Sequence, residues 1–181
     1  MNPGKILEKR IISGKSVVFR YPKLFDAKGA METINSQVEE RADIAKMTKV
    51  TLQQEKKWVS SVLKAVKGKE KVFIAIEAGG QYAGSCEVTK DRMESQRHVG
   101  TLGIGLRKEI RSLGIGKRAM RLAIREAKKI GVTIVRLDVY NTNKVGQRLY
   151  KKLGFHVTGK IKNLALHYGK RKDGITMVKY L

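Results

Sequence analysis

The residues best suited to chemistry lie in one stretch, Leu106-Arg107-Lys108-Glu109-Ile110-Arg111-Ser112-Leu113-Gly114-Ile115-Gly116-Lys117-Arg118. An apolar run passes through a basic loop into a glycine-rich helix start. Free N–H groups at a helix N-terminus, together with the helix dipole, attract anions. Gly114 and Gly116 let the main chain approach a phosphate, and Arg111 and Lys117 add charge. Two common phosphate cradles fit poorly. A Walker A loop needs Ser or Thr after its Lys and a Gly where Arg111 stands, whereas Gly116-Lys117 is followed by Arg118. Gly114-x-Gly116-x-x-Ala119 satisfies the dinucleotide pattern, with Asp138 downstream. The polar segment Arg107–Ser112, however, separates it from the strand that should feed it directly.

The whole chain of 181 residues must position this loop. That length suits one domain, here 1–181, with enough apolar residues to build a core. With 39 Lys+Arg against 16 Asp+Glu the net charge is +23, so the partner is anionic: a nucleic acid, an acidic surface or a phosphate-bearing ligand. Residues 107–181 hold 20 Lys+Arg and 4 acids, a net of +16, which places the anion in the C-terminal part. One cysteine, Cys86, excludes an internal disulfide and points to a reducing cytoplasm. No stretch approaches the ~18 apolar residues of a membrane span, and the N-terminal residues lack a signal core, so a membrane partner is not expected. Three His and one Cys are too few for a zinc-ligand set, and no metal is expected.

The elements follow from patterning. Residues 5–12 and 15–21 flank Ser13-Gly14 as an opening hairpin. Ala27, Ala30, Met31, Ile34 and Val38 share one helical face. Thr51 with Gln54 forms a capping-box pair ahead of a second helical stripe, Trp58, Val59, Val62, Leu63 and Val66, which Gly68 ends. Residues 71–77 and 82–88 around Gly79-Gly80 make a buried hairpin, and 98–107 a third strand. Gly103 and Gly105 inside that strand predict a bulge or a close approach to its backbone. A helix over 115–130 buries Ala119, Leu122, Ala123 and Ala127. A strand at 133–140, a helix over 141–153, and strands near 155–167 and 174–180 complete the chain. This is mixed α/β, and the β-α-β-α-β portion demands a parallel right-handed crossover near residue 115.

Two motifs, in order, carry a resemblance. Arg111-Ser112-Leu113-Gly114-Ile115-Gly116 meets the Q/R-x-x-G-x-G/A signature of the GNAT acyltransferases. Asn143-Lys144-Val145-Gly146-Gln147-Arg148-Leu149-Tyr150-Lys151-Lys152-Leu153-Gly154-Phe155 is similar to their N-x-x-A-x-x-L-Y-x-K-x-G-F, with Gly146 in place of the usual Ala. The tail Gly169-x-x-x-Asp173-x-x-x-Met177 resembles the ending of a bacterial-type branch that contains amino-acid and ribosomal-protein N-acetyltransferases, though Arg171 stands where that branch often has an aromatic. The resemblance spans nearly the whole chain, with one additional strand at the front. It implies a mostly antiparallel mixed sheet with a central splayed parallel strand pair and flanking helices.

The resemblance further implies transfer of acetyl from acetyl-CoA to a primary amine in a ternary complex. Backbone groups of Ile104 and Leu106 would hold the pantetheine as a pseudo-strand, and Asn143 would help. Arg111, Ser112, Leu113, Gly114, Ile115, Gly116 and Lys117 would hold the phosphates, with Arg107 nearby. Tyr150 would protonate the departing thiolate. Asp138, twelve residues earlier, is the first choice of base, acting through a water because Asp is short, and Glu87 and His98 are weaker alternatives. Near pH 7 a base matters most for a lysine-like amine, which costs ~4.6 kcal/mol to deprotonate against ~1 kcal/mol for an α-amine. The acceptor is then a small molecule or a peptide, with weak nucleic-acid or ribosome association from the charge and a homodimer left open. The competing class is a basic nucleic-acid-binding module without catalysis, but the sequence lacks interleaved aromatics on a basic strand.

Overall fold

The computed structural model describes residues 2–181 as one eight-stranded sheet in the order β1-β2-β3-β4-β5-β6-β8-β7. The strands are β1 Ile6–Ile12, β2 Lys15–Arg20, β3 Lys71–Ala78, β4 Gln81–Lys90, β5 Val99–Leu106, β6 Ile134–Tyr140, β7 His156–His167 and β8 Lys170–Tyr180. The helices are α1 Asp26–Glu39, α2 Leu52–Lys67, α3 Ile115–Lys128 and α4 Lys144–Lys152. Every neighbouring pair is antiparallel except β5 and β6. Among the described residues no helix is long and apolar enough to cross a membrane.

Alternation along β3 divides the interior. Val72, Ile74 and Ile76 join the larger core with Ala119, Leu122 and Ala123 of α3, while Phe73 and Ala75 join Val62 and Val66 of α2. Successive strand residues point to opposite faces, so the sheet carries α3 on one side and α1 with α2 on the other. The second helical stripe is narrower than its sequence suggests. Val59, Val62 and Val66 are buried, but Trp58 stays 37% exposed, edge-on to Phe73.

The start of α1 is fixed by a buried ion pair. Arg20 donates to both carboxylate oxygens of Asp26, at 2.9 and 2.6 Å, and to Glu77 at 2.7 Å. The Lys23 N–H also donates to Asp26. Removing one partner of a buried pair leaves an uncompensated charge, so Asp26→Ala is expected to lower stability by about 3 kcal/mol. A denaturant midpoint close to that of the wild type would show that Glu77 alone satisfies Arg20.

Two sequence expectations are corrected. Pairing of β5 with β4 runs without a register shift from Gly84↔Leu106 to Lys90↔Gly100, so Gly103 and Gly105 make no bulge. The irregularity lies instead in β4, where Ile76 pairs with Gly84 but Glu77 with Tyr82. The last helix starts at Lys144 rather than near Asn141, because the Asn143 carboxamide accepts from the Gly146 N–H at 2.8 Å and caps it.

Candidate active site

The parallel pair is short. Only Val99↔Ile134, Gly100↔Val135 and Thr101↔Arg136 face each other, after which β6 continues beside β8 and β5 beside β4. Between them opens a cavity of about 700 Å³ lined by Ile104, Leu106, Arg111, Ser112, Asp138, Asn143 and Tyr150 among others. Ladder parity tells which groups face it. The Arg107 N–H donates to the Ala83 carbonyl at 2.9 Å, so Gly105 and Gly103 exchange hydrogen bonds with β4. The peptide groups of Ile104 and Leu106 therefore turn towards β6, which has already parted from them. The Leu106 carbonyl is taken internally, by Gln37 at 3.0 Å and by Arg111 at 2.9 and 2.7 Å. The Leu106 N–H and both peptide groups of Ile104 are left with an open strand edge.

At the mouth of the gap, Ser112 and Gly114 adopt left-handed conformations, with φ of 62° and 80°. Gly114 is the N-cap of α3 and offers no side chain to it. By contrast, α2 has its complete capping box and α4 its Asn143 cap. Among the described residues, the N–H groups from Ser112 to Lys117 find no acceptor, and the first helical bond of α3 is Arg118 N–H to the Gly114 carbonyl. Uncapped amides beside two left-handed residues form an anion-seeking concavity.

The arginines are arranged differently from the sequence expectation. Arg111 forms an ion pair with Glu40 and donates to the Leu106 carbonyl, while Arg107 bonds Glu32 at 2.9 Å and Thr33 at 3.0 Å. Both tie the loop to α1. Arg118 is tied to Glu8, which its hydrogen bond holds at a pKa of about 2. Lys117 keeps no partner among the described residues and borders, with Leu113 and Gly114, a smaller basic hollow of about 300 Å³. Ile115 is fully buried, so only its backbone is available, and Gly116 packs against Leu106, Ile104 and Leu149.

Tyr150 is 8% exposed and sits edge-on to Phe155, with ring centroids 6.2 Å apart. Burial pushes its phenol up to about 12, so it is a held proton rather than a phenolate at neutral pH. Asp138 lies two residues beyond Arg136, the last residue of β6 paired with β5. It is exposed in the cavity wall and accepts from Thr176 at 2.6 Å, with no cationic partner among the described residues. Glu87, on β4 beside Gly103, is paired to Lys71 at 2.9 Å. His98 stands at the closed end of the parallel pair, exposed, its carbonyl accepting from Thr133.

Gly146 departs from the usual Ala for a reason visible here. A Cβ would lie 2.9 Å from both terminal atoms of the Asn143 carboxamide, the very group that caps α4. Gly146→Ala should therefore fail to give the ~1 kcal/mol that helix propensity promises. The cap displaced is worth about as much, so thermal melts are expected to show no gain or a loss.

Several residues escaped sequence reading. Gln37, 3% exposed, links α1 to the end of β5, and its only signal is a polar residue on an apolar helical face. The end of α1 and the loop after it are pinned by the β7–β8 hairpin: His167 bonds the Ile44 carbonyl at 3.1 Å, Tyr168 donates to the Val38 carbonyl at 3.1 Å, and Lys172 pairs with Asp43. Glu55 and Tyr82, which carried no signal for a site, join Trp58 and the candidate base Glu87 in lining a second cavity of about 530 Å³ on the other side of β5. It shares Gln37, Ile44 and the segment 103–105 with the first.

The sheet opens between two parallel strands, with bare amides at its mouth and two cavities meeting over β5. The chain belongs to the acetyltransferase (GNAT) family, whose profile matches residues 35–155, more than half of its length. It is thus a member of an enzyme family that passes acetyl from acetyl-CoA to an amine. A ribosomal-protein-alanine N-acetyltransferase from Brucella melitensis superposes with a TM-score of 0.82 at 23% identity, over 90% of this chain and 99% of that one. A GNAT-family acetyltransferase from Streptococcus pneumoniae gives 0.81 at 23%, over 91% and 99%. A phosphinothricin acetyltransferase from Sinorhizobium meliloti, in complex with acetyl-CoA, gives 0.81 at 17%, over 91% and 88%. At these identities the likeness establishes the fold. No curated protein sequence matches the chain.

Proposed function

We propose that the protein is an N-acetyltransferase that binds acetyl-CoA in the β5–β6 gap and acetylates a primary amine presented from the neighbouring cavity. The observation that carries this reading is the pairing of β5, complete with β4 but limited to three positions with β6. It leaves a strand edge for an extended amide-bearing chain to bond, in the manner of an added strand. The amides of 112–117 and Lys117 serve the phosphates, while Arg107 and Arg111 hold the loop in shape. Ile104 and Leu106 orient the pantetheine, and Asn143 borders it. The Leu106 N–H polarises the thioester oxygen.

In the reaction the amine nitrogen forms a bond to the acetyl carbon and the carbon–sulfur bond breaks. Asp138, through a water, takes the proton that the amine must lose, and Tyr150 gives its proton to the departing sulfur. Asp138 suits this task because it stands where the strands part and no cation engages it among the described residues. Tyr150 suits its own because burial keeps it protonated.

The test is acetyl-CoA turnover, read as released thiol, across free amino acids, N-terminal peptides, lysine peptides, polyamines and aminoglycosides. Acceptor-dependent thiol release from at least one class is expected. Absence of acetyl-CoA binding by calorimetry would end the reading.

A further inference from the structure

The cavity on the α1–α2 side of β5 holds a carboxyl group that the fold does not use. Glu55, in the first turn of α2, is 8% exposed and lines this cavity, yet among the described residues it accepts no hydrogen bond and enters no ion pair. Burial raises its pKa, and Lys46, also on the cavity wall, works in the opposite direction without reaching it. No side-chain oxygen is both buried and without a partner among the described residues, so the Glu55 carboxylate keeps its opening to the cavity and is available to a ligand. Three residues along α2, Trp58 lines the same cavity, and Tyr82 comes up from β4. A carboxylate in a cavity that aromatic residues also line is suited to receive a cation.

The cavity also has a direction. Its floor at Gly103–Gly105 adjoins the acetyl-CoA gap, and Glu87, beside Gly103, is already neutralised by Lys71. Glu55 lines the same cavity from α2, the helix that packs over β3.

We propose that this cavity binds an acceptor with two cationic groups, a linear diamine or polyamine, whose non-reacting ammonium sits at Glu55 against Trp58 while the other amine reaches Gly103–Gly105. The proposal rests on the reading of the β5–β6 gap as the acetyl-CoA site. Among the described residues Lys46 forms no ion pair with Glu55, which leaves that carboxylate open to a ligand's ammonium.

The experiment compares hexamethylenediamine with hexylamine, which has the same chain and lacks the second charge. In the wild type, kcat/KM is expected to favour the diamine by at least about tenfold, the worth of one hydrogen-bonded charge pair, with the difference in KM. In Glu55→Gln the preference is expected to shrink to within about twofold, and Glu55→Asp should recover part of it. Folding is checked by melting at pH 7. Because the folded state holds the Glu55 proton to higher pH than the unfolded chain, stability falls as pH rises through that window. Glu55→Gln removes the loss and should melt at or above the wild type.

Calorimetry separates the two readings. Diamine binding in the absence of acetyl-CoA, abolished in Glu55→Gln, supports the cation site whatever acetyl-CoA does. A wild type without preference for the diamine, or a preference that survives Glu55→Gln, overturns it while acetyl-CoA binding stands.

Discussion

Tyr150→Phe is expected to lower kcat by about 100-fold or more while leaving the Kd for acetyl-CoA within about twofold, because only the proton donor is removed. The ring survives the substitution, and with it the edge-on contact to Phe155 and the packing of α4 against the core. The hydroxyl lost has no hydrogen-bond partner among the described residues, so the fold loses no bond with it. Steady-state kinetics with calorimetry of acetyl-CoA binding separates the two quantities. Equal losses in both would make Tyr150 a packing residue and leave the departing thiolate to a water. The pH profile adds a second readout. With its phenol pushed up to about 12, Tyr150 stays protonated across the working range, and its donor function is lost only as pH rises through that value. A fall in kcat between about pH 7 and about pH 10 would therefore belong to another group or to the acceptor amine.

Gly116→Glu is expected to weaken acetyl-CoA binding by more than about 100-fold, because it sets a carboxylate among the amides that would meet a diphosphate. A Cβ at this position would meet Leu106 Cδ1 at 3.3 Å and Ile104 Cδ1 at 3.5 Å, side-chain tips that can give way. Gly116→Ala should then bind acetyl-CoA within about tenfold of the wild type, since a methyl group brings crowding without charge. Lys117→Glu, at a less buried neighbouring position, reverses charge without entering that contact and should weaken binding in the same direction. Normal affinity in both charge variants, with melting curves that confirm folding, would move the phosphates away from the start of α3.

Much of the molecule could be read without coordinates, because much of it is local. Hairpin turns at Ser13-Gly14 and Gly79-Gly80 require residues that tolerate positive φ, and the structure has positive φ at all four. The Thr51–Gln54 capping box is a relation over three residues, and both of its hydrogen bonds form. The order of elements and the parallel crossover followed from hydrophobic periodicity and the length of the α3 connection. The two motifs that mark the family are likewise contiguous stretches, so they survive in one dimension.

What could not be read were the relations between distant residues. Arg111 looked like a phosphate ligand because its sequence neighbours are glycines and cations, but Glu40, 71 positions away, reaches it in space. The glycines of β5 predicted a bulge or a close approach to its backbone; the register shift fell in β4, where pairing with β3 decides it, and Gln37 is the group that comes close at Gly105. Glu55 belongs to no motif in the sequence, and only the packing of α1, α2 and β4 sets it in a cavity wall without an ion pair among the described residues. The sequence by itself determined most of the secondary elements, their order, the glycine-rich turn ahead of α3 and the family, since each depends on conformational preferences within a few residues. The tertiary structure alone decided which charges are spent in holding the fold and which remain for a ligand, because desolvation and ion pairing depend on distances that no spacing along the chain encodes.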